Sequence, residues 1–381
     1  MFASASRTAP VLLVTLATTG ISAGGQPPAG SGSTKLPSFA CPSDKQSRLD
    51  LYGDPLPDGA VARLGTVRLR HGEIISGVVF SGDGRSIIVS DFYSGVHVWD
   101  ADSGKEVRRF YTTDHYCHKL AISPDGRTLA VVLADSTVRL CDPATGRELD
   151  SLPSHPNRIN DMAFSPDSTL LATTSGQSLR IYEVATRKLL RTVPVGDYVG
   201  TVSFSRDGRL LACSVPNSIS LRAVEDGREV RRLRDTPPGK ESLYATFAAS
   251  GGALAIWGYE DASVRLFDGD GVKEVRRFNR EPPLQADAAR PRGATVARFS
   301  PDGKVLAIVR EVGRIEVWEV ETGKKLRALA FDSSQQASEL AFSPDGTRLA
   351  SAGWDNWGGD NTVRLWDVKE GKELLPRTGH G

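Results

Sequence analysis

The stretch Phe342 to Asp367 constrains the whole chain. It reads F-S-P-D-G-T-R-L-A-S-A-G, a loop, then N-T-V-R-L-W-D. In Phe342-Ser343-Pro344-Asp345-Gly346 a strand runs into a tight turn. Pro pre-sets φ, Asp bonds its own backbone, and Gly takes the left-handed position. Val363–Asp367 is a β-prone run that stops at a polar residue. The block recurs seven times. The residue leading each turn is Phe80, Ile122, Phe164, Phe204, Phe247, Phe299 or Phe342, in steps of 42, 42, 40, 43, 52 and 43. The residue closing the later strand is Trp99, Cys141, Tyr182, Arg222, Phe267, Trp318 or Trp366 and keeps the same beat. Two independent landmarks in step mean an internal repeat.

A period near forty residues with four short strands per unit is the mark of a β-propeller blade. The expected fold is all-β: a seven-bladed β-propeller with four-stranded antiparallel blades, labelled a to d in order, over residues 60–381. Strands b, such as Ser86–Ser90, Leu129–Leu133 and Leu170–Thr174, are nearly continuous apolar runs, as a sheet covered on both faces requires. Outer strands at Lys105–Phe110, Arg228–Leu233 and Lys273–Phe278 share a V-R-R core, charge that discourages edge-to-edge pairing. A closed ring needs a strand for the open edge of blade seven. Thr66–Arg70 is expected to fill it, so that an N-terminal strand closes the ring. Lys372–Arg377 competes for the slot, which only one can fill directly, and Pro376 counts against it.

The chain resembles the WD40-repeat family, in its exported bacterial form. The resemblance rests on F-S-P-D at 164–167, F-S-P-D-G at 299–303 and 342–346, I-S-P-D-G at 122–126, and the endings V-H-V-W-D (96–100), V-R-L-C-D (138–142), V-R-L-F-D (264–268) and V-R-L-W-D (363–367). It runs from about residue 60 to the end and implies a docking platform for other macromolecules. Many blades of the family carry a buried His–Ser/Thr–Asp–Trp hydrogen-bond chain. Here matching Asp stand at 135, 261 and 360 and matching His at 71 and 155, never in one blade, so no complete chain is expected. Arg222 in place of the aromatic makes blade four the loosest.

The amino terminus is not part of the repeat. Arg7 precedes an apolar run from Pro10 to Ile21, and Ser22-Ala23-Gly24 offers small residues for cleavage. Residues 1–23 read as a signal peptide, too short and Thr-rich to span a membrane. Residues 24–59, rich in Gly, Pro and Ser, read as a disordered linker. The chain is therefore expected to be exported (periplasmic, cell-surface or secreted), a cytoplasmic location being the alternative. It is expected to be a monomer without a transmembrane segment in its mature form. A formal charge of +1 argues against nucleic acid, which needs a basic face. Cys117 and Cys141 lie two strands apart, too far for a disulfide. Cys213 reads as a core residue, and Cys41 as a thiol in the linker. Asp114 to His118 holds metal-ligand types, but His115 and His118 point to opposite strand faces and no second cluster completes a site. No metal and no cofactor are expected.

Function is expected where the copies differ. The a–b and c–d turns are monotonous, whereas the d–a and b–c loops, on the other face, vary. Phe92 and Tyr93 of blade one, Tyr116 of blade two, Tyr259 of blade five, Arg290 and Arg292 of the insertion at 280–293, and Trp354 and Trp357 of blade seven form the expected partner-binding surface. Exposed aromatics beside Arg anchor protein interfaces, and loops on a rigid scaffold carry binding. The bland alternative is that Trp354 and Trp357 plug their own Gly-rich loop. No catalytic motif is present. The expected function is a non-enzymatic scaffold that binds a protein or peptide. The alternative is a propeller enzyme, quinoprotein- or lactonase-like, or a carbohydrate-binding module using the central funnel. D-A-D-S-G-K (100–105) and D-P-A-T-G-R (142–147) echo the quinoprotein turn, but Arg109, Leu149 or Leu190 stands where that family has Trp.

Overall fold

In the computed structural model, residues 69–375 are described apart from 70, 72–73, 94, 111–115, 235–242, 259–262, 280–294, 312–313, 331–335 and 355–360. For Arg234, Arg310, Glu311, Gln336 and Trp354 the backbone alone is described. The signal-peptide and linker assignments, and Cys41, lie outside the described residues. Seven antiparallel sheets follow one another, each with its strands in chain order. Six have four strands, and the seventh pairs Gln336–Phe342, Arg348–Trp354 and Val363–Asp367. The seven strands a end on the residues that lead the repeated turns: Phe80, Ile122, Phe164, Phe204, Phe247, Phe299 and Phe342. Each strand a touches the strand a of the next blade, and the strand of blade seven touches that of blade one. The protein is a seven-bladed β-propeller.

The a–b turns are alike because one hydrogen-bond set recurs. In six blades the Ser hydroxyl donates to the Asp two residues on: Ser81 to Asp83, Ser123 to Asp125, Ser165 to Asp167, Ser205 to Asp207, Ser300 to Asp302 and Ser343 to Asp345. The same carboxylate accepts a backbone N–H beyond the turn, as Asp345 does from Thr347. These bonds hold the carboxyls of Asp83, Asp167, Asp207, Asp302 and Asp345 below the usual range.

Blades adhere through apolar burial. The residue that closes strand c packs on the preceding blade: Trp366 against Val309 and Leu329, Trp318 against Trp257 and Phe278, Tyr182 against Val132 and Leu140. Trp366, at 2% exposed, contributes mainly through area removed from water. Arg222 departs from this pattern. It is nonetheless buried and tied to the Gly227 carbonyl at 3.0 Å and near Glu229 at 3.6 Å, and blade four keeps all four strands.

The basic outer strands have a structural use on two levels. Glu106, Glu229 and Glu274 each pair with the Arg three residues on, at 2.7–2.8 Å. The third residue of strand d reaches the c–d turn of the next blade. Arg108 donates to the Ala144 carbonyl, Arg191 to Val224, Arg276 to Thr322 and Arg327 to Lys369. In blade two the polarity reverses, Asp150 meeting Arg187 at 3.3 Å. The c–d turn comes close enough that Gly227, at φ 77°, would bring an added Cβ within 2.3 Å of Val193 Cγ2. Arg187 takes the equivalent turn position at φ 61°, so the left-handed backbone admits a side chain with some strain, and the contact with Val193 adds to it. Gly227→Ala should destabilise by about 1–3 kcal/mol, read by urea unfolding. A loss under about 0.5 kcal/mol would show that Val193 moves aside.

Ring closure differs from expectation. The edge of Val363–Asp367 is shared. At its start the His71 N–H donates to the Asn361 carbonyl at 2.7 Å, and the Val363 N–H donates to the Leu69 carbonyl at 3.0 Å. At its end the Leu374 N–H donates to Leu365, Trp366 bridges to Glu373, and Arg364 pairs with Glu373 at 3.0 Å. The N-terminal segment does close the ring, and among the described residues it pairs with the start of the edge while the C-terminal segment pairs with its end. The two were not rivals because each needs only a few residues of β-pairing.

Candidate functional site

An antiparallel meander puts the d–a and b–c connections at one end of every blade. Among the described residues the exposed aromatic side chains are Tyr93, Tyr116 and Tyr198, at 58%, 46% and 57%, and all three lie on that face. Tyr93 sits in the b–c turn of blade one, held because Asp91 accepts the Tyr93 N–H at 3.2 Å. Its ring meets Tyr116 edge-to-face at 5.2 Å, and Phe92 meets His118 at 5.4 Å. The structure thus brings together Phe92, Tyr93 and Tyr116, as the neighbour relations of blades one and two require. Tyr259, Arg290, Arg292 and Trp357 lie outside the described residues. Trp354 pairs with Gln336 through its backbone, and its side chain is outside them too.

Sequence reasoning missed Tyr198, although the signal was present. Ile74, Tyr116, Arg158 and Tyr198 occupy one repeat position, the sixth residue ahead of the one that ends strand a. On blades one to four this position makes an exposed arc of two Tyr, one Ile and one Arg. Inside the arc lies a cavity of about 610 Å³ lined by His118, Lys119, Arg158, Asn160, Tyr198 and Tyr244 among others. Tyr198 donates to the Asn160 side-chain oxygen at 2.8 Å. Lys119 pairs with Asp161 at 3.0 Å, which raises its pKa and keeps it charged. Burial and Arg158 keep His118 below the usual imidazole value. A second cavity of about 340 Å³ joins Ile74, Phe92, His118 and Glu339 across blades seven, one and two. The face therefore offers apolar rings, amides and cations in one concavity, suited to a partner that inserts a polar segment beside apolar side chains.

The buried polar chains are more complete than the expected separation of His and Asp allowed. In blade one His71 does meet a carboxylate, Asp91 at the end of strand b, at 3.5 Å. His97 meets the same Asp91 oxygen at 3.0 Å and Glu106 at 2.9 Å. Asp91 lies two residues ahead of the repeat position that Asp135 holds in blade two. In blade three the Nε2 of His155 lies 3.0 Å from the Thr173 hydroxyl and 3.2 Å from that of Tyr182, which stands in for Trp. Burial, then Arg180, lowers its pKa to about 4. In blade seven Trp366 donates to Ser351 at 2.9 Å. Cys117, Cys141 and Cys213 are buried thiols, and burial pushes Cys117 and Cys213 up to about 12.

Residues 146–183 and 324–367 match the family model described as WD domain, G-beta repeat. Two stretches of this propeller are thus similar to WD40 repeats. Each match begins in a c–d turn, takes strand d of one blade, and continues through strands a to c of the next. That offset makes a closing segment necessary. Curated relatives agree. Guanine nucleotide-binding protein subunit beta-5b of Danio rerio is 32% identical over 117 residues, 31% of this chain and 26% of that protein. WD repeat and SOCS box-containing protein 1 is 36% identical over 78 residues in Mus musculus and 38% over 79 in Homo sapiens, 20% of this chain and 17% of each relative. The matches thus span about a quarter or less of the relatives' own lengths. Together with the seven blades they support a WD40-type β-propeller. Among the described residues no helix is long and apolar enough to cross a membrane.

Proposed function

We propose that this chain is a non-enzymatic scaffold that binds a protein or peptide on its d–a face, over the arc of Tyr93, Tyr116 and Tyr198 and into the cavity beside Arg158. The observation that carries the reading is that the exposed aromatic side chains among the described residues share that face. Rings held by a rigid frame anchor partners at small entropic cost. The relatives supply a second support, one being by its name a subunit of a larger assembly. Tyr259, Arg290, Arg292, Trp354 and Trp357 extend the same surface on sequence reasoning.

The test compares the wild-type chain as bait with Tyr93→Ala/Tyr116→Ala/Tyr198→Ala. Partner capture should fall by at least about 30-fold, one strong hot spot's worth. The thermal midpoint should stay within about 2 °C, because the rings are exposed. Capture of the same partner at wild-type strength by the triple variant would sink the assignment. The chain is further proposed to be exported, on the apolar run from Pro10 to Ile21. N-terminal sequencing of secreted material should begin near Gly24, and intact Met1 in cytosolic material would refute export.

A further inference from the structure

We propose that His71, Asp91 and His97 of blade one bind a single divalent transition ion of zinc's class, held by two imidazoles and one carboxylate. The three donors come from separate places: the N-terminal closing segment, the end of strand b and the middle of strand c. Asp91 Oδ2 is 3.5 Å from His71 Nδ1 and 3.0 Å from His97 Nε2. The cluster offers one ligand atom from each residue, all within 4.8 Å of one another. A tetrahedral ion with bonds near 2.0–2.1 Å sets its ligand atoms about 3.3 Å apart, a spacing that the two observed distances bracket.

The surroundings prepare each donor. Asp91 Oδ1 accepts the N–H groups of Tyr93 and Gly95, which turns Oδ2 inward. His97 Nδ1 faces Glu106 at 2.9 Å. A proton held there leaves the Nε2 lone pair aimed at the Asp91 carboxylate, and a lone pair against an anion needs a proton or a cation between them. A carboxylate behind a metal-bound imidazole is the usual supporting arrangement. Among the described residues neither ring nitrogen of His71 makes a hydrogen bond of ordinary geometry, Nδ1 standing 3.5 Å from Asp91, and the side chain is 0% exposed. Two nitrogens and an oxygen suit zinc or cobalt rather than calcium or magnesium. The ion would fasten the closing segment to blade one, since the His71 N–H already holds Asn361 of blade seven. Its role is structural, because the three side chains are at most 4% exposed.

The test uses the full chain, stripped with EDTA, dialysed and titrated with ZnCl2 or CoCl2, with bound metal counted by atomic emission. Wild type should hold about one more ion per chain than Asp91→Asn or His97→Gln. The Co2+ form should show tetrahedral visible absorption and quench Trp99, whose ring lies 5.3 Å from His71 and 6.3 Å from His97. Zinc should raise the wild-type thermal midpoint by roughly 5 °C. Glu106→Gln should bind about 10–100-fold more weakly. Wild type that retains no ion in excess of the Asp91→Asn variant overturns the site. A midpoint unmoved by zinc and EDTA also overturns it, leaving a proton between His97 and Asp91. Should either variant fail to fold, the wild-type cobalt spectrum alone decides: no tetrahedral band, no site.

Discussion

A chain begun at Gly72 should unfold at a thermal midpoint roughly 10 °C below that of a chain begun at Val67. The shorter chain loses Leu69, 3% exposed and packed in the core between blades one and seven. It also loses the bonds to Asn361 and Val363. Burial of one Leu contributes about 1.5–3 kcal/mol, and each backbone bond about 1 kcal/mol net. The sum, on the order of 5 kcal/mol, is a large part of a domain's stability. The first half of strand Val363–Asp367 would then present an open edge, so dimers or aggregates should appear in size-exclusion chromatography. Equal midpoints for the two chains would mean that the C-terminal segment closes the ring unaided. Removing residues 372–381 should cost less, because Glu373 and Leu374 are partly exposed while Leu69 is buried.

Stability should also fall as pH drops from about 6.5 to about 4, by on the order of 3 kcal/mol, through His155. Unfolded, this imidazole takes up a proton near pH 6.5; folded, burial and Arg180 delay that to about 4. Between those values the unfolded chain binds more protons, so the fold's advantage is complete above pH 6.5 and shrinks as acid is added. His71, lowered mainly by burial, acts in the same direction. His155→Gln keeps an amide near Thr173 and Tyr182 but cannot titrate. Urea midpoints at pH 7, 5.5 and 4 should therefore converge in the variant relative to wild type. An unchanged slope would show that other groups carry the effect. Below pH 3.8 a second loss follows, as the turn carboxyls held low by Ser hydroxyls take up protons.

Much of the architecture was legible because it is local and repeated. A Ser and an Asp two residues apart close the turn's own hydrogen bonds within five residues in six of the blades, so the repeated turn predicts strand ends without any tertiary information. The aromatic at the end of strand c was legible as a wedge between blades for the same reason. The surface was legible only in part. Phe92, Tyr93 and Tyr116 stand out as departures from the repeat, and the adjacency of blades one and two makes them neighbours. Tyr198 is equally exposed and, counted back from Phe204, shares a repeat position with Ile74 and Tyr116, but its blade has no other departure from the repeat. Asp91 was not legible as a partner of His71 because it lies two residues before the repeat position of Asp135. The N–H groups of Tyr93 and Gly95 hold one oxygen of its carboxylate, and the other lies 3.5 Å from His71.

Composition, period and turn chemistry in the sequence alone determined an all-β ring of seven four-stranded blades, its a–b turns and its apolar interfaces. The tertiary structure alone decided three things: that both chain ends share the last edge, that His71 meets Asp91 and His97, and that Tyr198 joins Tyr93 and Tyr116 on one face. The physical reason is range. Turns and strand alternation are set by residues a few positions apart. Side chains from opposite ends of a closed ring meet only after every blade between them has contributed its own small rotation.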